Sequence, residues 1–313
     1  MGFWFENGDS RRFQRVEMPI KTYIFPTQPI RDRDIFALGI NYFPPSVVKK
    51  IQKTKVDLWH WVTHIQEQRE ILEPVFLEVI DLVDSFGEIV KQISVGKNEL
   101  KNPQHREKLL HLQKGFLGIR TLKDPAPKTF QYFGLMDQKF SVYTENLIQS
   151  MAKSTPIKFE INSDFQTEFE IDKIIATFED PKFEHIPLAR ALYYLATYID
   201  LHLNAYYQLL KDLKPSKTPK SWDTYRVNIS ACGAAIYAPK RYALNSKVEV
   251  IFYFTETGEM LKLKASVVHT FTQPKEQTES NALDFDFPTG MDQAMIQRQI
   301  ELYQIIRCMD FDL

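Results

Sequence analysis

Only two cysteines, Cys232 and Cys308, occur in 313 residues. They are too few for a disulfide framework and lack the spacing of a metal site, so a reducing cytoplasm is the simplest home. Charge of either sign is not in excess. The 39 Lys and Arg against 40 Asp and Glu leave a formal net charge of −1, which excludes a global field that would gather nucleic acid or anionic lipid. Any anion site must be local. No uninterrupted apolar run approaches the ~20 residues of a membrane-spanning helix. The segment Met1-Gly2-Phe3-Trp4-Phe5-Glu6 has neither the basic lead nor the apolar length of a signal peptide, and Glu6 breaks the myristoylation pattern. The expectation is a soluble cytoplasmic protein without direct membrane insertion. A convergent nucleophile and base, a phosphate loop, internal repeats and low-complexity tracts are also missing, so no enzyme is expected.

What is present falls into three stretches. Residues 11–25 open with an arginine cluster and continue as Val16-Glu17-Met18-Pro19-Ile20-Lys21-Thr22-Tyr23-Ile24-Phe25. Apolar side chains alternate there as in a strand, and Pro19 favours an edge or a bulge. Residues Asp34–Phe43 fit either a strand or an irregular link. From about Ser46 to Leu213 the period turns helical. Leu58, Val62, Ile65, Arg69, Leu72, Phe76, Val79, Val83, Phe86, Val90 and Ile93 keep an a/d register over five heptads. Pro74 lies inside it, which predicts one kinked helix or two helices end to end. Further helices are expected near Gln104–Gly115, Gly134–Lys153 and Ile186–Leu213. The third stretch is β again: Tyr225–Ser230, Ala234–Tyr237, Lys247–Phe254, Leu261–Thr272 and Leu283–Phe287, with a hairpin turn at Thr257-Gly258 and a closing helix over Met291–Met309.

Two short motifs carry the chemistry. Arg11-Arg12-Phe13-Gln14-Arg15 precedes the first strand, and Asn228-Ile229-Ser230-Ala231-Cys232-Gly233 spans the end of the first strand of the third stretch and the turn after it. Together they resemble the RxxxR and [D/N]xSxxG signatures of the PilZ domain, the bacterial receptor module for cyclic di-GMP. The motifs stand 228 − 15 = 213 positions apart, where the family usually has a short stretch. The resemblance therefore implies an α+β chain: an antiparallel PilZ-type β-barrel with a C-terminal helix, interrupted after its first strand by an all-α bundle or coiled-coil insertion. Expected boundaries are 1–40 and 215–313 for the discontinuous barrel and 41–214 for the insertion.

The same resemblance implies the ligand and its contacts. Arg11 and Arg15 take the places of the family's ligand-binding arginines, with Arg12 as a helper, and Asn228, Ser230 and Gly233 take those of the second motif. Arginine suits a doubly charged cyclic dinucleotide because its planar fork bonds phosphate or guanine O6/N7 in pairs and its face stacks on a base. Asn228 offers one acceptor oxygen where Asp offers two. Gly233 fits a positive-φ turn or a close approach of the ligand. The implied function is a non-enzymatic effector that converts binding into a rearrangement of its helical module and so regulates a partner in motility, pilus, polysaccharide or secretion machinery. The alternative is a PilZ-fold scaffold that binds no nucleotide and acts through its helices. No metal or other cofactor is expected.

Several residues invite a second reading. His60 and His64 have the spacing of some zinc sites but lack the accompanying Glu, so a solvated pair is the simpler account. His202 reads as a hydrogen-bonded core histidine and Cys232 as a small packing residue. Phe3, Trp4 and Phe5 read as packing on the barrel. The Leu58–Ile93 stripe fits either the core of the insertion or a seam for a homo-oligomer, and its length favours the seam.

Overall fold

The computed structural model describes residues 14–103, 106–162, 168–287 and 290–309. The chain divides into two compact units, Met1–Gln28 with Pro215–Leu313 and Pro29–Lys214.

The first unit is a closed antiparallel barrel of six strands in the order β1-β2-β3-β6-β5-β4. These are β1 (Val16–Pro26), β2 (Thr224–Ser230), β3 (Gly233–Ala238), β4 (Lys247–Tyr253), β5 (Met260–Gln273) and β6 (Thr278–Asp286). Alternation explains the closure. Met18, Ile20 and Ile24 of β1, Val227 and Ile229 of β2, and Val248, Val250 and Phe252 of β4 are all buried, as inward positions of period-2 strands should be. β1 serves two neighbours in turn. Val16–Lys21 pair with β2 and Lys21–Pro26 with β4. Pro19 thus lies in the half of β1 that has β2 alone beside it, where a missing N–H is tolerated. A buried carboxylate braces the β3–β4 connection: Glu279 accepts from Arg241 Nε at 2.9 Å, and Asn281 Oδ1 accepts from the Tyr242 amide at 3.0 Å. The closing helix α7 (Gly290–Met309) buries Ile296 and Ile300, and its Gln299 accepts from Thr257 at 3.1 Å.

The second unit holds six α-helices among the described residues: α1 (Pro45–Thr63), α2 (Arg69–Ser94), α3 (Arg106–Lys114), α4 (Pro127–Lys153), α5 (Glu170–Thr177) and α6 (Pro187–Leu213). It begins earlier than position 41. Ile30 bridges Ala37, the Ile35 amide donates to the Gly96 carbonyl at 3.1 Å, and the Phe36 amide donates to that of Thr155 at 2.9 Å. Residues 29–40 therefore belong with the helices rather than with the barrel.

Two expectations about the stripe need correction. The helix breaks at 64–68, not at Pro74, and Gln68 there takes a left-handed conformation (φ 56°). Pro74 sits one turn inside α2, where it deprives only the Glu70 carbonyl of its usual donor. The seam for a homo-oligomer also disappears. Leu58, Phe76, Val79, Val83, Phe86 and Val90 are fully buried within the single chain, so this stripe is the core of the insertion and is not open to a second copy.

A polar node fixes α1, α2 and α6 together. Asp84 accepts from Lys55 at 2.7 Å and from the Tyr198 hydroxyl. His202, 4% exposed, donates from Nδ1 to the Tyr198 carbonyl at 2.9 Å. Gly87 of α2 is pressed against that ring, and an added Cβ would lie 2.5 Å from His202 Cδ2. Gly87→Ala is therefore expected to lower the unfolding free energy by roughly 1–2 kcal/mol despite the better helix propensity of Ala. Gly134, with nothing within 4 Å of its Cβ position, is the contrasting site, where Ala should raise it by about 0.5–1 kcal/mol. Denaturant midpoints of the two variants give the comparison.

Burial, partly offset by the Tyr198 carbonyl and Asp84, holds the His202 pKa below its ordinary value of 6.5. The unfolded chain then takes up a proton that the folded one refuses. Stability from the neutral ring is complete above pH ~6.5 and is lost as pH falls through the folded pKa. Burial raises the carboxyl pKa values of Asp137 and Asp200, which works in the opposite sense. The His202 contribution is isolated by comparing wild type with His202→Gln: exchange protection in α6 should fall between pH 7 and 5 more steeply in wild type.

Candidate functional site

The β1–β2 ladder pairs Val16 with Ile229 and Glu17 with Asn228. Arg15 immediately precedes β1, so one step further along that register brings its backbone level with Ser230. Two segments separated by 228 − 15 = 213 positions in sequence thus converge at one end of two adjacent strands. Arg11 and Arg12 lie outside the described residues, as do Phe3, Trp4 and Phe5.

Rows of paired residues across the sheet give the outer face its layout. The first row runs Ser230, Gly233, Asp284, Ser266. The second runs Glu17, Asn228, Ala235, Ala282, His269, and the third Pro19, Arg226, Tyr237, Ser280, Phe271. Asn228 therefore has only alanine methyls beside it on β3 and β6. Its Oδ1 is buried and lacks a hydrogen-bond partner among the described residues, and so does the Ser280 hydroxyl one row away. Buried polar atoms left unsatisfied are unfavourable and are usually completed by something else.

Ser230 and Gly233 have a different character. Ser230, 1% exposed, donates from its hydroxyl to the Gly233 carbonyl at 3.2 Å and so closes the two-residue turn between β2 and β3. Gly233 does not take a positive φ. A Cβ there would lie 2.5 Å from the Leu283 carbonyl oxygen of β6, so the close approach is that of the neighbouring strand. Cys232 is exposed at the turn rather than packed.

The third row was not foreseen. The Arg226 guanidinium lies over the Tyr237 ring, 4.1 Å from its centroid. Its terminal nitrogens donate to both carboxylate oxygens of Glu276 in the β5–β6 turn, and Nε stands 3.6 Å from Glu17. The bonds to Glu276 hold its pKa above the ordinary value. Arg226 precedes Asn228 by two residues, which was the available sequence signal. The carboxylate from the β5–β6 turn has no local pattern that announces it.

A closed six-stranded antiparallel barrel with a helix after the last strand, and a motif turn between its second and third strands, is the arrangement expected from the signatures. Residues 208–303 match the family model described as the PilZ domain. Over those residues the chain is similar to the PilZ domain. The matched residues begin in the last turns of α6 and end in α7, so they include the second motif of the PilZ domain but not β1 or the arginines. Pairing of β1 with β2 and β4 joins the strand that follows Arg15 to the barrel. No curated protein and no solved structure matches the chain.

Other candidates belong to the helical unit. His60 and His64 are exposed, with ring centroids 4.4 Å apart, and no group of three or more His, Cys, Asp or Glu among the described residues is placed to hold a metal ion. A cleft of about 680 Å³ in the helical unit is lined by Tyr143, Tyr193 and Tyr207 and by Lys139 between Asp172 and Asp200. Lys139 donates to Asp172 at 2.5 Å and to Asp200 at 2.7 Å, so its charge is matched within the fold. No helix among the described residues is long and apolar enough to cross a membrane.

Because Gly233 faces backbone rather than a pliable side chain, Gly233→Ala should destabilise the PilZ barrel by roughly 1–3 kcal/mol with or without nucleotide. A thermal midpoint unchanged from wild type would show that β6 can give way.

Proposed function

We propose that this protein is a non-enzymatic cyclic di-GMP receptor of the cytoplasm. Arg11, Arg12 and Arg15 grip the phosphates and guanine edges, Asn228 accepts from a guanine N–H, and Ser230 and Gly233 shape the turn on which the ligand rests. The observation that supports this reading is the register Val16 opposite Ile229, which brings the backbone of Arg15 level with the second motif. The unpartnered Asn228 Oδ1 supports it, since a ligand donor would satisfy an atom that the protein leaves open.

Strand β1 also offers a route for output. Its first residue adjoins the arginines, and its last, Pro26, stands two residues before the helical unit begins after Gln28. A ligand that draws the arginines inward acts on a segment covalently continuous with the helices. A protein partner, or a second copy meeting a surface other than the buried Leu58–Ile93 stripe, would read the change.

One observation favours the scaffold alternative. Ser230 and Gly233 have complete structural reasons to be present, one closing the turn and the other admitting β6, so both would persist in a barrel that binds nothing. Arg15 and Asn228 have no such reason, and they decide between the readings.

Calorimetric titration of the full chain with cyclic di-GMP separates the two. Wild type should bind, and Arg15→Ala should bind about tenfold or more weakly, since a charge-assisted hydrogen bond contributes roughly 1.5–3 kcal/mol and ~1.4 kcal/mol is one decade. Absence of heat in wild type leaves the scaffold. Exchange protection of α1 and α2 recorded with and without the nucleotide tests the proposed output, and identical protection would remove it.

A further inference from the structure

Beyond the two motifs, we propose that Arg226 is a third anion-binding arginine of the same surface, held in reserve by Glu276 and Glu17 and released to the ligand when it binds. The inference rests on the cyclic di-GMP reading and deepens it by naming a specificity residue and the carboxylates that regulate it.

Placement comes first. Arg226 is on the same face of β2 as Asn228 and precedes it by two residues, about 6.6 Å along the strand. It is therefore one row further from the turn than Asn228, as Arg15 is one row nearer. The ligand surface would be bounded by an arginine on either side of the asparagine, with the methyls of Ala235 and Ala282 as its floor. The Ser280 hydroxyl, 0% exposed and without a partner among the described residues, belongs to the Arg226 row. It is an independent sign that this row, like that of Asn228, awaits a polar group.

The electrostatics make the exchange feasible. Tyr237 fixes the plane of the guanidinium from below at 4.1 Å, leaving its edge, which is the part that makes paired hydrogen bonds, to choose an anion. That edge now meets Glu276 and Glu17. Side-chain exposure is 36% for Arg226, 41% for Glu276 and 49% for Glu17. Ion pairs so accessible to water contribute little net stability, so giving one up for a phosphate carries a small penalty. In the unliganded protein the carboxylates neutralise a cation that would otherwise attract any passing anion. A dianion with two phosphates outcompetes them, whereas a single weakly held anion does not.

Titration of the full chain with cyclic di-GMP tests this through four proteins: wild type, Arg226→Ala, Glu276→Gln and the double variant. Arg226→Ala should bind about tenfold more weakly, and Glu276→Gln about threefold to tenfold more tightly. The decisive arm is the double variant. If Glu276 acts by holding Arg226, its removal changes affinity less than twofold once Arg226 is gone. A gain that persists there would mean only that one negative charge fewer surrounds the ligand, and would overturn the proposal. So would Arg226→Ala binding within twofold of wild type while Arg15→Ala is impaired, an outcome that leaves the receptor reading standing. No binding by wild type would defeat both. Thermal midpoints near wild type for Glu276→Gln guard against a folding artefact, since that exposed side chain can lose its charge without disturbing the barrel.

Discussion

The ladder in which β1 pairs with β2 over Val16–Lys21 and with β4 over Lys21–Pro26 is the constraint on which the remaining architecture rests. Without it, β2 and β4 would each present a row of unpaired backbone groups, and five strands would form an open sheet with two edges. Closure supplies the inward-facing Met18, Ile20 and Ile24 to the barrel interior. It also fixes which residues of β2 stand level with Arg15. A slip of one residue would turn every side chain of β1 to the opposite face, so the hydrophobic alternation that secures the core secures the site as well.

Division of labour within the second motif follows from the same geometry. Ser230 and Gly233 are occupied in making the turn and in letting β6 come close. Asn228 faces outward between Glu17 and Ala235 with an open acceptor. In a chain of net charge −1, attraction for an anion has to be assembled from a few cations in one place, and the Arg226–Tyr237–Glu276 cluster places one of them within a row of the asparagine. The helical unit, by contrast, resolves its charges internally, as at Asp84 and Lys139.

Much of this was legible in the residues. Period-2 alternation marked β1 in spite of Pro19, short runs rich in β-branched or aromatic residues marked the other five strands, although β6 begins at Thr278 rather than Leu283, and helical periodicity marked α2 and α6. The motif spacing implied an insertion. The helix break at 64–68 was hidden because Ile65 and Leu72 remain seven apart across a loop, and periodicity records the face a residue occupies rather than whether the backbone between is helical. The same stripe suggested an oligomer because a sequence shows that a face is apolar without showing that α4 and α6 of the same chain cover it. The early start of the helical unit depends on backbone bonds from residues 30–37 to Gly96 and Thr155, which side-chain patterns do not encode. Gly233 was read as serving a positive-φ turn or a close approach of the ligand, and its contact with β6 was not legible because that backbone belongs to a strand some 50 residues away.

The split barrel has a temporal side. Val16 leaves the ribosome 229 − 16 = 213 residues before its partner Ile229, an interval of roughly 10–40 s at 5–20 residues per second. Throughout it the first strand of the sheet has no ladder to join, while all the helices of the insertion have emerged and have their own core to bury. Nascent chains would thus acquire the helical unit first and the barrel last, with an alternating, unpaired strand waiting on the N-terminal side of the folded helices.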